Sequence, residues 1–399
     1  MATSGSPSTR RRLLAGLRVA LALTILTWVG FNLPWSDELT WSDGAGNELV
    51  VAGRIEGDWK EDRVRFWPTA EASLEGWPAE DRAAHDEGRA IVADRRAEDA
   101  SGHDWHPGMP KAFREMDVGG LLLAQACFLV AVLTIVTRWW RLLDQAGCPT
   151  TWWNALRLTF IGLFFNNVIP GATGGDLVKG VMVAKENPGR GAEALVTVLV
   201  DRVFGMVALA ILALTVILVH GDPRLEVLRQ GLVIGLVICA VGAALYASKT
   251  FRRKAGLSAL VDRLPLQDKL RSIDRAALVY MKSPAFVVVA LLFSFANHAL
   301  VCLGAYFLGQ ALGASVGLVD YLVIVPVANL VTAVPLAPGG WGVGELAFRQ
   351  LFLLIGASPA LGVAVSVTFR LSQLALGLFG GVALLFPGSR TELRQAQSA

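Results

Sequence analysis

The chain reads as an all-α polytopic membrane protein with about six full spans, two re-entrant helical hairpins that form an inverted repeat, and a small extracytoplasmic insert that is partly β. Three observations predict that class. Of its 399 residues, 54% are hydrophobic and only 17% charged, proportions that suit a bundle in lipid better than a soluble domain. Apolar runs near the ~20 residues that a membrane-crossing helix needs recur along the chain. Two of the most apolar regions are broken by Pro and Gly clusters that carry charged residues, "FFNNVIPGATGGDLVKG" from Phe164 and "VPLAPGGWGVGELAF" from Val334.

Taken in order, Arg10 to Arg12 precede an apolar run from Leu13 to Leu33. The run is long and ends in "GFNLPWS" without a small-x-small cleavage site, so residues 1–34 are expected to be a cytoplasmic tail and an uncleaved anchor. Residues 35–117 form the insert. Between Asp37 and Asp117 it holds 20 Asp and Glu against 10 Lys and Arg, a balance of −10, while the rest of the chain carries +13. Within it, "ELVVAGRIEGDW" and "DRVRFW" alternate like short strands after the turn signal "SDGAGN", and "AEDRAAHDEGRAIVADRRAED" is charged and only weakly periodic. The membrane domain is expected over residues 118–387, with further spans at Val118 to Val136, Ala194 to Val219, Gly231 to Ala247, Ala285 to Gly309 and Pro359 to Phe386. A tail, residues 388–399, follows.

The loop Ser248 to Lys282 holds nine Lys and Arg against three Asp. Placing it in the cytoplasm, the acidic insert outside and both termini inside satisfies every strong charge cue for a protein of the cytoplasmic membrane. "RWWRLLDQAG" and "TTWWNALRL" fit a helix lying at the cytoplasmic interface, with indoles at headgroup level.

Irregular backbone at membrane depth survives only where it is buried in protein or faces a watery cavity, because lipid cannot satisfy its amides. Each break should therefore be the tip of a re-entrant hairpin. In the first, Pro170 ends the incoming half-helix, Gly174 and Gly175 allow the return and Asp176 opens the outgoing half. In the second, Pro338, Gly339, Gly340 and Gly342 precede Glu345. Arg202 lies twenty-six positions after Asp176 and Arg370 twenty-five after Glu345, each inside an apolar span. The spans preceding the two hairpins run in opposite directions, as in transporters whose site forms where half-helix ends meet.

A charge left unpaired in the membrane core costs at least ~2.5 kcal/mol on insertion scales. Asp176 with Arg202 and Glu345 with Arg370 are the natural pairs. Arg202, Arg370 and Lys179, with half-helix amino termini, are the candidate anion site for a phosphate headgroup. The bland alternative is that these pairs only brace the hairpins, and it weighs most for Asp201, Glu345 and Arg349. Asn166, Asn167, Asn297, His298 and Asn329 add polar atoms, each read first as a helix–helix hydrogen bond.

Metalloprotease, phosphate-loop and nucleophile-elbow motifs are absent from the sequence, so an enzymatic role is not favoured and no catalytic residue or cofactor is assigned. His85, His103 and His106 stand beside acids in the insert but read as ordinary surface residues, and no metal is assigned. The basic amino-terminal tail is a topology signal rather than a nucleic-acid binder. The four cysteines read as small core residues.

"NNVIPGATGGDLVKG", "DRVFG" and "PGGWGVGE", in that order, resemble the flippase-like integral membrane family named after the transmembrane region of lysylphosphatidylglycerol synthases. The resemblance covers about Val118 to Phe386. It implies a multi-span bundle that binds lipids, with site elements on Gly174, Gly175 and Asp176, on Asp201 and Arg202, and on Pro338, Gly339, Gly340, Gly342 and Glu345. Lys179 stands where relatives often have Arg, which keeps charge and loses the bidentate fork. No soluble aminoacyl-transferase domain like that of the synthases is expected, which removes the reason to assign a lysyl-lipid as substrate, and the acidic insert departs from the family pattern. The expected function is a lipid transporter that takes an anionic phospholipid or a polyprenyl-phosphate-linked lipid between leaflets, with Asn167 and Pro170 beside the charged residues at the headgroup. An integral transferase using Asp176 or Glu345 as base, and a lipid-binding scaffold whose insert holds a protein partner, are the alternatives.

Overall fold

The computed structural model describes residues 27, 35–42, 48–59, 61–94, 102–168, 174–248, 280, 283–333 and 340–383. The expected anchor, most of the basic loop, the carboxy-terminal tail, Pro170, Pro338, Gly339 and the side chain of Asn167 lie outside the described residues.

The insert is more β than its composition suggested. Strands β1 (Asp37–Ser42), β2 (Glu48–Glu56), β3 (Arg63–Pro68), β4 (Ile91–Asp94) and β5 (Gly102–His106) form one antiparallel sheet in the order β4-β3-β2-β1-β5. Alternation places Val64 and Phe66 inside and Arg63 and Arg65 outside, as the two-residue period requires. The strands anticipated from sequence are β2 and β3. β1, β4 and β5 were not legible: β5, "GHDWH", buries only Trp105 fully, so its pattern is too short to read. The charged stretch yields α1 (Ala79–Asp86), which buries Asp81 and Ala84, and then β4. The Asp37 carboxylate ties the sheet to the chain leaving it, accepting from Ile55 N at 2.7 Å and Gly108 N at 2.6 Å.

The insert closes with α2 (Met109–Arg114), and the membrane part contains α3 (Val118–Gln145), α4 (Trp152–Val168), α5 (Gly174–Glu186), α6 (Gly191–His220), α7 (Glu226–Ala247), α8 (Pro284–Ala311), α9 (Leu318–Thr332), α10 (Val343–Leu354) and α11 (Pro359–Ala383). Among the described residues five segments, α3, α6, Pro223–Tyr246, α8 and α11, are long and apolar enough to cross a membrane. The other four helices after α3 are short. At 1.5 Å per residue even α4, with 17 residues, spans only about 25 Å, less than the ~30 Å of a hydrocarbon core.

α3 and α8, both of 28 residues, pack antiparallel along their length. Asp117 N donates to Ala311 O at 2.9 Å where one begins and the other ends, and the Asp117 carboxylate caps α3 through Gly120 N at 2.6 Å. Midway, a Cβ on Gly304 would stand 2.4 Å from the Phe128 ring, so only glycine permits this approach. Around that pair, α4 packs on α5 and α11, and α9 packs on α10 and α6; α5 also meets α6, and α10 meets α11. α9 is buried on every side from Val323 to Ala328, as expected of a helix that is apolar all round.

One expectation is corrected. "RWWRLLDQAG" is not an interfacial helix but the last turns of α3: Trp139 is fully buried and its Nε1 donates to Thr197 Oγ1 on α6 at 3.1 Å. "TTWWNALRL" opens α4, where Trp153 is 74% exposed while Trp152 donates to Thr137 Oγ1. Paired tryptophans are ambiguous because an indole serves both a core and a headgroup layer; here the neighbouring helix decides.

The insert is seated on the bundle. Ala112 of α2 joins Ile217, Leu225, Leu312, Phe352 and Leu361 in one apolar cluster. The Trp59 ring lies against Gly313 in the α8–α9 turn, so close that a Cβ there would overlap it, and Gly313 has φ +77°.

Candidate functional site

Two short-helix pairs bring the site together. α5 can approach α4 only because residue 175 is glycine: a Cβ there would lie 1.8 Å from Gly162 O. That approach lets Asn166 Oδ1 accept from Gly175 N at 2.9 Å and satisfies one open amide at the start of α5. Gly174 begins the helix, and Asp176 sits in its first turn.

From there an alternating row of charges crosses three helices. Arg202 Nε on α6 donates to Asp176 Oδ2 at 2.7 Å. Lys179 Nζ lies 3.6 Å from Asp176 Oδ1 and 3.9 Å from Asp201 Oδ2, over the Trp139 ring at 4.4 Å from its centroid. Arg138 Nε on α3 donates to Asp201 Oδ1 at 2.8 Å, and the same guanidinium also bonds Ser294 Oγ on α8. Lys179, Asp201 and Arg138 are 3%, 6% and 5% exposed, so this part of the row is buried within the protein.

In the second pair, Arg370 Nε on α11 meets Glu345 Oε1 at 2.6 Å, and the other oxygen of Glu345 accepts from Gly342 N, capping α10. Glu345 is 1% exposed. Gly340 and Gly342 hold φ of +71° and +80°, a left-handed backbone that other residues resist. Gly344 gives Arg370 its place, since a Cβ there would lie 1.7 Å from Arg370 Nη2. Arg370 also faces the Trp341 ring.

Two adjoining cavities lie between these groups. One, of about 230 Å³, is lined by Arg202 and Arg370 with Asn166, Asn329, Thr332 and Gln373 among others, and among the described residues by no carboxylate. The other, of about 270 Å³, is lined by the charged row, with His298 at its side. Asn166, Arg202 and Ala333 line both.

Asp176, Lys179, Asp201, Arg202, Glu345 and Arg370 are thus gathered, in the two pairings the sequence suggested. Gly174, Gly175, Gly340 and Gly342 shape backbone around them. Arg138 and Gly344 were missed. Arg138 sat inside a motif read as interfacial, and its one available signal was a charge twenty residues into a helix that starts at Val118. Gly344 could have been found as a third glycine at even spacing before Glu345.

The comparisons with known proteins fit this architecture. The model of the family described as "Lysylphosphatidylglycerol synthase TM region" matches residues 107–381. A UPF0104 membrane protein of Pyrococcus horikoshii is 26% identical over 307 residues, covering 70% of this chain and 92% of that protein. A UPF0104 membrane protein of Methanothermobacter thermautotrophicus is 24% identical over 299 residues, covering 70% and 88%. No solved structure matches the chain. Match and motifs coincide over the helices that build the two cavities, and the chain belongs to the lysylphosphatidylglycerol synthase TM region family.

Proposed function

We propose that the protein moves a lipid with an anionic phospholipid or polyprenyl-phosphate-linked headgroup between membrane leaflets, holding the headgroup between two re-entrant hairpins, α4–α5 and α9–α10. The observation that carries this reading is one cavity wall with two arginines, Arg202 and Arg370, from different helix groups and each steadied by its own carboxylate. Guanidinium forks match phosphate oxygens, and amides at Asn166 and Asn329 supply further donors.

We read the two helix groups as an inverted repeat, the architecture that alternating access would use. α3 to α6 and α8 to α11 follow the same sequence of long, short, short, long, and the first members lie antiparallel. Glu345 follows Asp176 by 169 positions and Arg370 follows Arg202 by 168. At those same offsets Lys179 and Asp201 are matched by Phe348 and Phe369, whose rings face each other at 6.4 Å. One side of the cavity is therefore ionic and the other aromatic, which suits an amphiphile with a charged head and apolar chains. We place the protein in the cytoplasmic membrane with the insert and its docking turn outside, following the basic loop inside.

The test is movement of a fluorescent anionic phospholipid across proteoliposomes, read by quenching of outer-leaflet label. Wild-type protein should speed it and Arg202→Ala or Arg370→Ala should slow it; no acceleration for any lipid tested sinks the proposal.

A further inference from the structure

We infer that the insert is a strap across the end of the bundle on which it sits: it holds α6 and the α9–α11 group together there, and the cavities open toward that end only when α2 and Trp59 let go. This rests on the alternating-access reading above and names the element that governs one of its two openings.

On the insert's side the cavities are sealed by packing. Moving toward the insert, a cavity-lining residue gives way about one turn later to a residue buried in a single apolar cluster: Leu209 to Ala213 on α6, His298 to Cys302 on α8, Phe369 to Val365 on α11. From Cys302 the cluster continues to Leu312 at the end of α8, about 15 Å of helix. Ala112 of α2 belongs to it, together with Ile217 and Leu225 from the α6–α7 corner and Phe352 and Leu361 from α10 and α11. Water entering from this end would have to cross packed hydrocarbon.

α3 and α8 pack along their length and are tied where Asp117 N donates to Ala311 O at 2.9 Å, so the seam that can part is α6 against α9 and its neighbours. A rocking motion widens such a seam at one end, and an element packed on both walls must then release one. α2 is that element. With six residues it holds only because the sheet grips it: Lys111 Nζ donates to Ile55 O at 3.0 Å and to Gly57 O at 3.1 Å, and Gly108 N donates to the Asp37 carboxylate at 2.6 Å. The sheet in turn sets the Trp59 ring on Gly313 in the α8–α9 turn, and Trp105 Nε1 fixes Trp59 by donating to its carbonyl at 2.8 Å. The strap thus runs from α2 through the sheet to the turn that leads into α9.

A second observation points to an open state. Tyr321 of α9 is fully buried in the same cluster, and its hydroxyl has no hydrogen-bond partner among the described residues. The hydroxyl lies against Gly309, where a Cβ would stand 1.8 Å from the oxygen. A buried hydroxyl without a partner destabilises the closed packing. Parting the seam wets it, so the plug is poised to open and the strap supplies the opposing hold.

The test is labelling of Cys302, fully buried in the plug, by a water-soluble maleimide in the purified full-length protein carrying Cys127→Ser, Cys148→Ser and Cys239→Ser. A companion protein keeps only Cys148, equally buried but in the other apolar cluster beyond the far end of α3, and reports general loosening. Trp59→Ala should raise the rate at Cys302 at least about tenfold, because labelling follows the population of the open state, and should leave Cys148 unchanged. Lys111→Ala, which cuts α2 from the sheet, should raise the Cys302 rate to a smaller degree. Tyr321→Phe should raise the thermal midpoint and yet slow both Cys302 labelling and lipid movement about three- to tenfold. A hydroxyl that serves only the fold would leave lipid movement at the wild-type rate, which would overturn the open state. Unchanged Cys302 labelling in Trp59→Ala and Lys111→Ala overturns the strap, as does equal acceleration at Cys148. Absence of lipid movement in the wild type overturns the transport reading instead, and Cys302 labelling still decides the strap. If Trp59→Ala fails to fold, Lys111→Ala and Tyr321→Phe decide.

Discussion

Gly344→Ala isolates the geometry of the second arginine. The new Cβ would lie 1.7 Å from Arg370 Nη2, 2.8 Å from Cζ and 3.2 Å from Nε, so the guanidinium must retreat by roughly 1.5 to 2 Å to reach ordinary contact at ~3.5 Å. Arg370 is held 2.6 Å from Glu345, and a retreat of that size breaks the contact. Glu345 is 1% exposed and would be left with only Gly342 N and a long contact from Ser366. Stranding a buried ion in this way costs about 3–5 kcal/mol. Part is recovered because Arg370 is a flexible side chain that can swing into the cavity, so a loss of about 2 kcal/mol is expected in stability, within the range for overpacking. Transport should fall further, by more than about tenfold, because the arginine no longer points where the phosphate would sit. The assays are the thermal midpoint of the purified protein and lipid movement in proteoliposomes. Wild-type transport in Gly344→Ala would refute the claim that Arg370 must occupy this place. Gly175→Ala is the contrast: its Cβ meets backbone, Gly162 O at 1.8 Å, which cannot swing away, so that variant should fail at the level of folding.

Other outcomes follow from the same geometry. Arg138→Ala leaves Asp201 buried without its 2.8 Å partner and should lower stability by about 3–5 kcal/mol; Arg138→Ala with Asp201→Ala should recover part of the loss in thermal melts, and an additive double mutant would argue against direct pairing. Arg202→Ala and Arg370→Ala should each slow transport at least about tenfold, the double little more than the worse single, if both hold one headgroup. Trp59→Ala removes the ring seated on Gly313 and should speed proteolysis of the insert while leaving the bundle intact, as judged by fragments on a gel.

How much of this was legible depends on the range of each signal. Spans and breaks are local: an apolar run or a Pro-Gly cluster declares itself within twenty residues, and the matched spacings from Asp176 to Arg202 and from Glu345 to Arg370 identified both ion pairs before any packing was known. The strands of the insert were legible only where alternation ran long enough, in β2 and β3. Arg138 was misplaced because its surroundings in sequence, two tryptophans and a second arginine, are those of an interfacial helix. Its burial is made by α6 and α8, which contribute Asp201 and Ser294 from residues 63 and 156 positions away.

Local pattern is enough to establish a membrane bundle with two interrupted hydrophobic regions, each bearing an acid and a following arginine. Apolar length and the cost of charge in lipid require as much, whatever the fold. Packing alone sets Arg202 and Arg370 on one cavity, holds Lys179 between Asp176 and Asp201, and makes Gly344 the residue that admits a guanidinium. Those facts depend on which helix approaches which, and that is set by side-chain volume at contacts such as Gly175 against Gly162 and Gly304 against Phe128, between residues that no local pattern connects.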